Sequence, residues 1–307
     1  GRPPFFTGSP LEIVHAHIAK EPALLNEAGP DIPTALSALV LKLLAKNAED
    51  RYQSGSGLAA DLERCRAAGK NLQKLEFSLG EDDFSGQLQV PQKLYGRSEQ
   101  IKTLLHAFSQ IQRGGLGLML VEGFSGVGKT SLVHEIQRPV SLANGYFIQG
   151  KSDQLLRSVP YLPWIQALSS LVDQLLMEKA EQLQFWSERI LHAVGANGKI
   201  VTEVIPNLES LIGEQPELPE LEPSQAQNRF NYVFKRFTHA LTADRHPLVL
   251  FLDDMQWADA ASLNLLKTLL SEGDVEHLLV ILSYRSNEVN AAHPLTLTLD
   301  ELRQSPL

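Results

Sequence analysis

Eight residues from Gly123 to Thr130 read GFSGVGKT, a run of the form G-x-x-x-x-G-K-[ST]. Glycines at this spacing let consecutive backbone N–H groups turn inward around phosphate oxygens, at the positive end of the helix that follows. No other feature constrains the fold as strongly, because such a loop works only between a buried strand and a helix. The flanks comply: LGLMLVEG, Leu116 to Gly123, reads as a strand entering the loop, and SLVHEI from Ser131 reads as the first turns of a helix. Gly123, Ser125, Gly126, Val127, Gly128, Lys129, Thr130 and Ser131 are therefore candidate nucleotide contacts. Lys129 offers a point charge for the β- and γ-phosphates, and the Thr130 hydroxyl is a hard oxygen ligand suited to Mg²⁺.

A second acidic feature completes the chemistry. The apolar run LVLFL ends in Asp253 and Asp254. Strand ends gather at one edge of a parallel sheet, so Asp253 is expected near Thr130 as the Mg²⁺ acid. Asp254, next along, is placed to accept a proton from an attacking water or to orient it. Nucleoside triphosphate and Mg²⁺ are the cofactors this set predicts.

The rest of the chain supplies a scaffold. Strands are expected at GYFIQGK, PLVLFLDD and LLVILSYR, separated by helical patterns. That alternation predicts an α/β fold with a parallel sheet covered on both faces. A helix with Ser98 as N-cap carries Ile101, Leu104, Leu105 and Phe108 on one face. A long helical tract from about 163 to 213 is broken at GANGK and at Pro206, and PELPELEP forms an acidic connector. Residues 1–68 are helical in pattern, most clearly after Ile32-Pro33, where Leu36, Leu39, Val40, Leu43 and Leu44 form one stripe, and a second short helix from Leu58 to Cys65 follows a polar turn. Residues 69–92 lack periodicity and read as a linker, yet Phe77, Leu79, Phe84, Leu88 and Val90 predict that it docks on a neighbour.

Composition narrows the partners. A net charge of −9 disfavours nonspecific attraction to nucleic acid or anionic membrane. No apolar stretch approaches the roughly 20 residues needed to span a bilayer. A lone cysteine, Cys65, fits a reducing cytoplasm. The start, GRPPFFTGSP, has neither a signal-peptide pattern nor an initiator Met, as expected of a fragment.

Two resemblances sharpen this. GRPPF, EIVHAHIAKEP and IPTALSALVLKLLAKNAEDRYQS resemble the closing helices of the C-terminal lobe of a bacterial Ser/Thr protein kinase, without any of the kinase catalytic motifs. In that family the arginine matching Arg51 pairs with the glutamate of A-P-E, which this chain lacks. That resemblance implies loose folding of residues 1–68. Tyr95, Gly96, Arg97 and Glu99, the phosphate loop, LDDMQWAD and SYR together resemble the ATPase domain of signal-transduction ATPases with numerous domains, close to origin-recognition-type AAA ATPases. The resemblance covers 94 to about 295 and implies ATP as the nucleotide. It further implies strand order 5-1-4-3-2 with the fifth strand missing, Arg97 near the nucleotide and Arg285 as a γ-phosphate sensor. The missing strand would leave an exposed edge and poor solubility.

The whole is similar to large bacterial hybrid sensor kinases, with domains 1–68, 69–92 and 93–307. ATP and the other domains of the same polypeptide are the partners this implies, with self-association as a further one. Two readings compete: an ATP-hydrolysing switch and a non-hydrolysing nucleotide-binding scaffold. Trp257 reads as packing or ligand binding, Gln256 as a water organiser, Asp259 as a helix cap or a water organiser, and Lys151 and Asp153 as strand-end residues that reach the site or lie on the surface.

Overall fold

The computed structural model describes residues 3–6, 10–29, 31–75, 77–83, 96–156, 159–219, 221–242, 246–271 and 275–304. Tyr95 and the linker positions Phe84, Leu88 and Val90 lie outside them. The chain divides into two compact units, residues 1–8 with 12–95 and residues 9–11 with 96–307.

The first unit is all helical among its described residues. Helices α1 (Pro10–Ala19), α2 (Leu25–Ala28), α3 (Thr34–Leu43) and α4 (Gly55–Ala68) follow one another. Ser54 caps α4 by accepting from the Gly57 amide, the usual way an orphan N–H of a first turn is satisfied. Arg51 donates through Nε to the Ala45 carbonyl at 2.8 Å.

The start of the expected linker is seated on this unit. Asp83 accepts from the amides of Gln53 at 2.6 Å and Ser54 at 2.9 Å and from the Ser54 hydroxyl at 2.7 Å. The fully buried Asp61 accepts from the Gly80 amide at 2.7 Å and the Tyr52 hydroxyl at 2.6 Å. Gly57 makes the fit possible: a Cβ there would lie 2.6 Å from the Asp83 Cα.

The second unit is built on four parallel strands in the order β1-β4-β3-β2. These are β1 (Leu116–Gly123), β2 (Tyr146–Lys151), β3 (Leu248–Asp253) and β4 (Leu278–Arg285). The order matches the expected 1-4-3-2, with β1 at an edge among the described residues. Side chains alternate between two cores, as the pleat requires. Leu248, Leu250, Leu252, Leu278, Val280 and Leu282 face one core, and Val249, Phe251, Leu279 and Ile281 face the other. On the second face lie α5 (Ser98–Ile111), α6 (Lys129–His134) and α7 (Gln137–Leu142), through Leu104, Phe108, Val133 and Val140. The first face packs against α8 (Leu162–Leu175), α9 (Ala180–Val194), α12 (Pro223–Leu241) and α13 (Ala260–Ser271), with Trp164, Leu171, Phe234 and Leu266 in the core. The short α10 (Gly198–Val204) and α11 (Glu209–Ile212) fill the insert, and α14 (Pro294–Gln304) lies beside α13.

Three local expectations change. Ser98 is the first residue of α5, with Arg97 at the cap position and no side-chain cap bond. The helix after the phosphate loop is two short pieces, α6 and α7, separated at Glu135 and Ile136 just ahead of Pro139, a residue that cannot donate to a continuing helix. The insert also breaks between α8 and α9, at 176–179, where no Gly or Pro marks it.

Candidate nucleotide site

The C-terminal strand ends bring the sequence motifs to one edge. Gly123 at the end of β1 pairs in register with Arg285 at the end of β4, and Asp253 on β3 pairs with Lys151 on β2. Neighbouring strands run about 4.8 Å apart, so these four strand ends are spread over about 14 Å along one edge of the sheet.

The loop has the backbone a phosphate cradle needs. Gly126 and Gly128 sit at φ 75° and 88°, conformations open to glycine at no steric cost. Gly128 caps α6, and Lys129 begins it. The Lys129 ammonium is folded onto the loop, donating to the Gly123 carbonyl at 3.2 Å and the Phe124 carbonyl at 3.1 Å. These are exchangeable contacts that a phosphate oxygen would compete for. Arg97 reaches the same loop, its Nη2 lying 3.4 Å from the Val127 carbonyl. Between α5, the edge of β1 and the loop opens a cavity of about 330 Å³, walled by Arg97, Gln100, Thr103, Val127 and Lys129 among others.

Thr130 and Asp253 meet directly: the threonine hydroxyl donates to Asp253 Oδ2 at 2.9 Å. The other carboxylate oxygen accepts from the Ser283 hydroxyl and from the Asp254 amide at 3.1 Å. A hydroxyl and a buried carboxylate side by side are the oxygen donors that Mg²⁺ takes from a protein. Among the described residues no three His, Cys, Asp or Glu converge on a metal position. The donor set therefore suits a cation that draws its remaining ligands from phosphates and water.

Asp254 is only 7% exposed and adopts a left-handed backbone, φ 56° and ψ 41°. Three groups hold its carboxylate: Gln256 Nε2 at 2.9 Å, Lys151 Nζ at 3.1 Å and Arg285 Nε at 3.5 Å. Burial pushes its pKa up, but the Gln256 hydrogen bond and the charges of Lys151 and Arg285 outweigh it, and the net shift is downward from 3.8. Arg285 also pairs with Glu288 at 2.8 Å and stacks on Trp257 at 4.5 Å.

A scan against protein families now bears on this geometry. Residues 93–281 match the AAA ATPase domain. The chain belongs to the AAA ATPase domain family. This AAA ATPase is 36% identical over 291 residues to hybrid signal transduction histidine kinase G of Dictyostelium discoideum, covering 88% of the chain and 8% of that protein. It is 21% identical to histidine protein kinase 1 of Candida albicans over 330 residues, covering 92% of the chain and 13% of that protein. The serine/threonine-protein kinase PknB of Mycolicibacterium smegmatis matches over 64 residues at 39% identity, which is 21% of the chain and 10% of that kinase. The AAA ATPase chain thus spans about a tenth of the length of these relatives.

The remaining sequence candidates sort themselves by contact. Lys151 reaches the site through Asp254, whereas Asp153 accepts from the Leu155 amide at 2.7 Å and shapes its own turn. Asp259 caps α13, accepting from the Ser262 amide at 2.9 Å. Trp164 and Trp186 are core residues at 0% exposure, while Phe185 is 42% exposed. Sequence reading missed Ser283, which accepts from the Asp254 amide and donates to Asp253, and Glu288. The signal for Ser283 was its place in the SYR motif, and for Glu288 its place just beyond the fourth strand.

Proposed function

We propose that this AAA ATPase domain is an ATP-binding and ATP-hydrolysing module that regulates a multidomain signal-transduction kinase of the cytoplasm. The single observation that carries the reading is the 2.9 Å bond from Thr130 to Asp253, which joins the phosphate loop to the acidic strand end. Gly123, Ser125, Gly126, Val127, Gly128, Lys129 and Ser131 hold the phosphates, and Arg97 lies along the nucleotide. Thr130 and Asp253 hold Mg²⁺, which when bound neutralises phosphate charge for attack by water. Arg285 meets the terminal phosphate. Asp254, kept ionised, orients the water rather than taking its proton, because a carboxylate with a depressed pKa is a weak base at neutral pH.

The type assignment, to signal-transduction ATPases with numerous domains, rests on the motifs from Arg97 to Arg285. The parent polypeptide is read as a Ser/Thr protein kinase because residues 1–68 resemble the end of its C-terminal lobe and because 64 residues of the chain match a PknB-type kinase. Its other domains are the partners. A scaffold that binds nucleotide without hydrolysis is the second reading, favoured by one observation: among the described residues the Asp254 carboxylate is held by Gln256, Lys151 and Arg285.

The test is Mg²⁺-dependent phosphate release from ATP by the chain, beside Lys129→Ala and Asp254→Asn. Turnover in the parent that falls at least about 100-fold in both variants is the expected result. Tight ATP binding with no phosphate release selects the scaffold, and full turnover in Lys129→Ala refutes both.

A further inference from the structure

Three residues of one short loop, Asp254, Gln256 and Trp257, all converge on Arg285. Asp254 Oδ1 lies 3.5 Å from its Nε, and the Gln256 Oε1 accepts from its backbone amide at 3.1 Å. Trp257 lies under its guanidinium at 4.5 Å from ring centre to Cζ. A fourth residue, Glu288, takes Nη1 at 2.8 Å. The D-D-M-Q-W run therefore does more than end a strand.

The contacts fall into two kinds. A guanidinium is planar, so an aromatic ring engages its face while anions engage its edge N–H donors. The Trp257 ring lies 4.5 Å from the guanidinium carbon, while Glu288 and Asp254 take N–H donors. An arriving phosphate competes only for the edge. Arg285 is register-paired with Gly123, the first residue of the phosphate loop, so its backbone lies beside the start of the loop.

We propose that Trp257 is a positioning residue on which Arg285 stays stacked while its edge donors exchange from Glu288 and Asp254 to the terminal phosphate of a bound nucleoside triphosphate. Trp257 keeps the arginine aimed. Glu288 is the counter-charge that the phosphate must displace. This rests on the reading of the site as an ATP site, and it assigns to two residues outside the phosphate loop and the acidic pair the task of telling triphosphate from diphosphate.

The two assignments predict effects of opposite sign. In the full chain, the affinities for ATP and ADP are measured with Mg²⁺, together with the rate of phosphate release. Trp257→Leu removes the plate, and the preference for ATP over ADP falls about 3- to 10-fold. Trp257→Phe keeps an aromatic face and restores most of it. Glu288→Gln keeps the shape and removes the competing charge, so the same preference rises about 2- to 5-fold. A structural role alone would move ATP and ADP together and in one direction.

Arg285→Ala sets the scale, since it removes the discriminating group itself. If Arg285→Ala lowers the ATP preference while Trp257→Leu and Glu288→Gln leave it at the parent value, the proposal is overturned and the ATP site stands. Should Trp257→Leu not fold, a Glu288→Gln preference equal to or below the parent's overturns it alone. A parent that binds neither nucleotide removes the ATP reading and this inference together.

Discussion

At Asp254 the backbone and the charge can be separated experimentally. Its left-handed conformation is one that Asn shares readily, so Asp254→Asn changes charge without forcing the chain to move. The pKa of Asp254 is depressed below 3.8. Its ionisation therefore contributes stability above that value, which is lost as pH falls from about 4 through the folded pKa. Unfolding followed between pH 5 and pH 2 should show a shallower acid loss in Asp254→Asn than in the parent. Lys151→Met should fall between them, because one of the charges that holds the carboxylate down is gone; a Lys151→Met profile identical to the parent's would remove Lys151 from the site. The loop residues and Asp253 were legible in sequence because a phosphate cradle and an acidic strand end have local signatures. For Lys151 the sequence left a site role and a surface role both open, since its approach to Asp254 depends on β2 pairing with β3 in one register.

Among the elements, two glycines show how close packing overrides propensity. Ala is a better helix former than Gly by about 1 kcal/mol, so Gly57→Ala in α4 should stabilise an isolated helix. In the folded unit the new methyl meets Asp83 at under 3 Å, and overpacking of this kind costs about 1–3 kcal/mol. The expected outcome is a lower melting temperature for Gly57→Ala than for the parent, read by thermal unfolding. Gly150 on β2 is the stronger case. A Cβ there would lie 1.7 Å from the Pro163 carbonyl, so Gly150→Ala should destabilise by about 3 kcal/mol and shift α8 away from Lys151, with thermal unfolding as the measure. The strands were legible as apolar runs and the helices by their stripes. The break between α8 and α9 was not, because it obeys packing on the sheet rather than a breaker residue.

For the molecule as a whole, the nucleotide should act on the unit that carries the site. Ligand at 100 times its dissociation constant adds about 2.7 kcal/mol of stability. Differential scanning calorimetry with Mg²⁺ and ATP should raise the transition of the unit from Gly96 onward, and chelation of Mg²⁺ or Lys129→Ala should abolish most of the rise. No rise at saturating ATP would contradict nucleotide binding. Sequence alone determined the α/β class, the strand order by resemblance, the phosphate loop and the acidic pair, because each is written in periodicity or in a short motif. Tertiary structure decided which charges Asp254 meets, that Arg285 lies on Trp257 and against Glu288, and that residues 77–83 are seated on α4. Those contacts join positions far apart in the chain or on either side of a turn, and only sheet register and close packing set their distances.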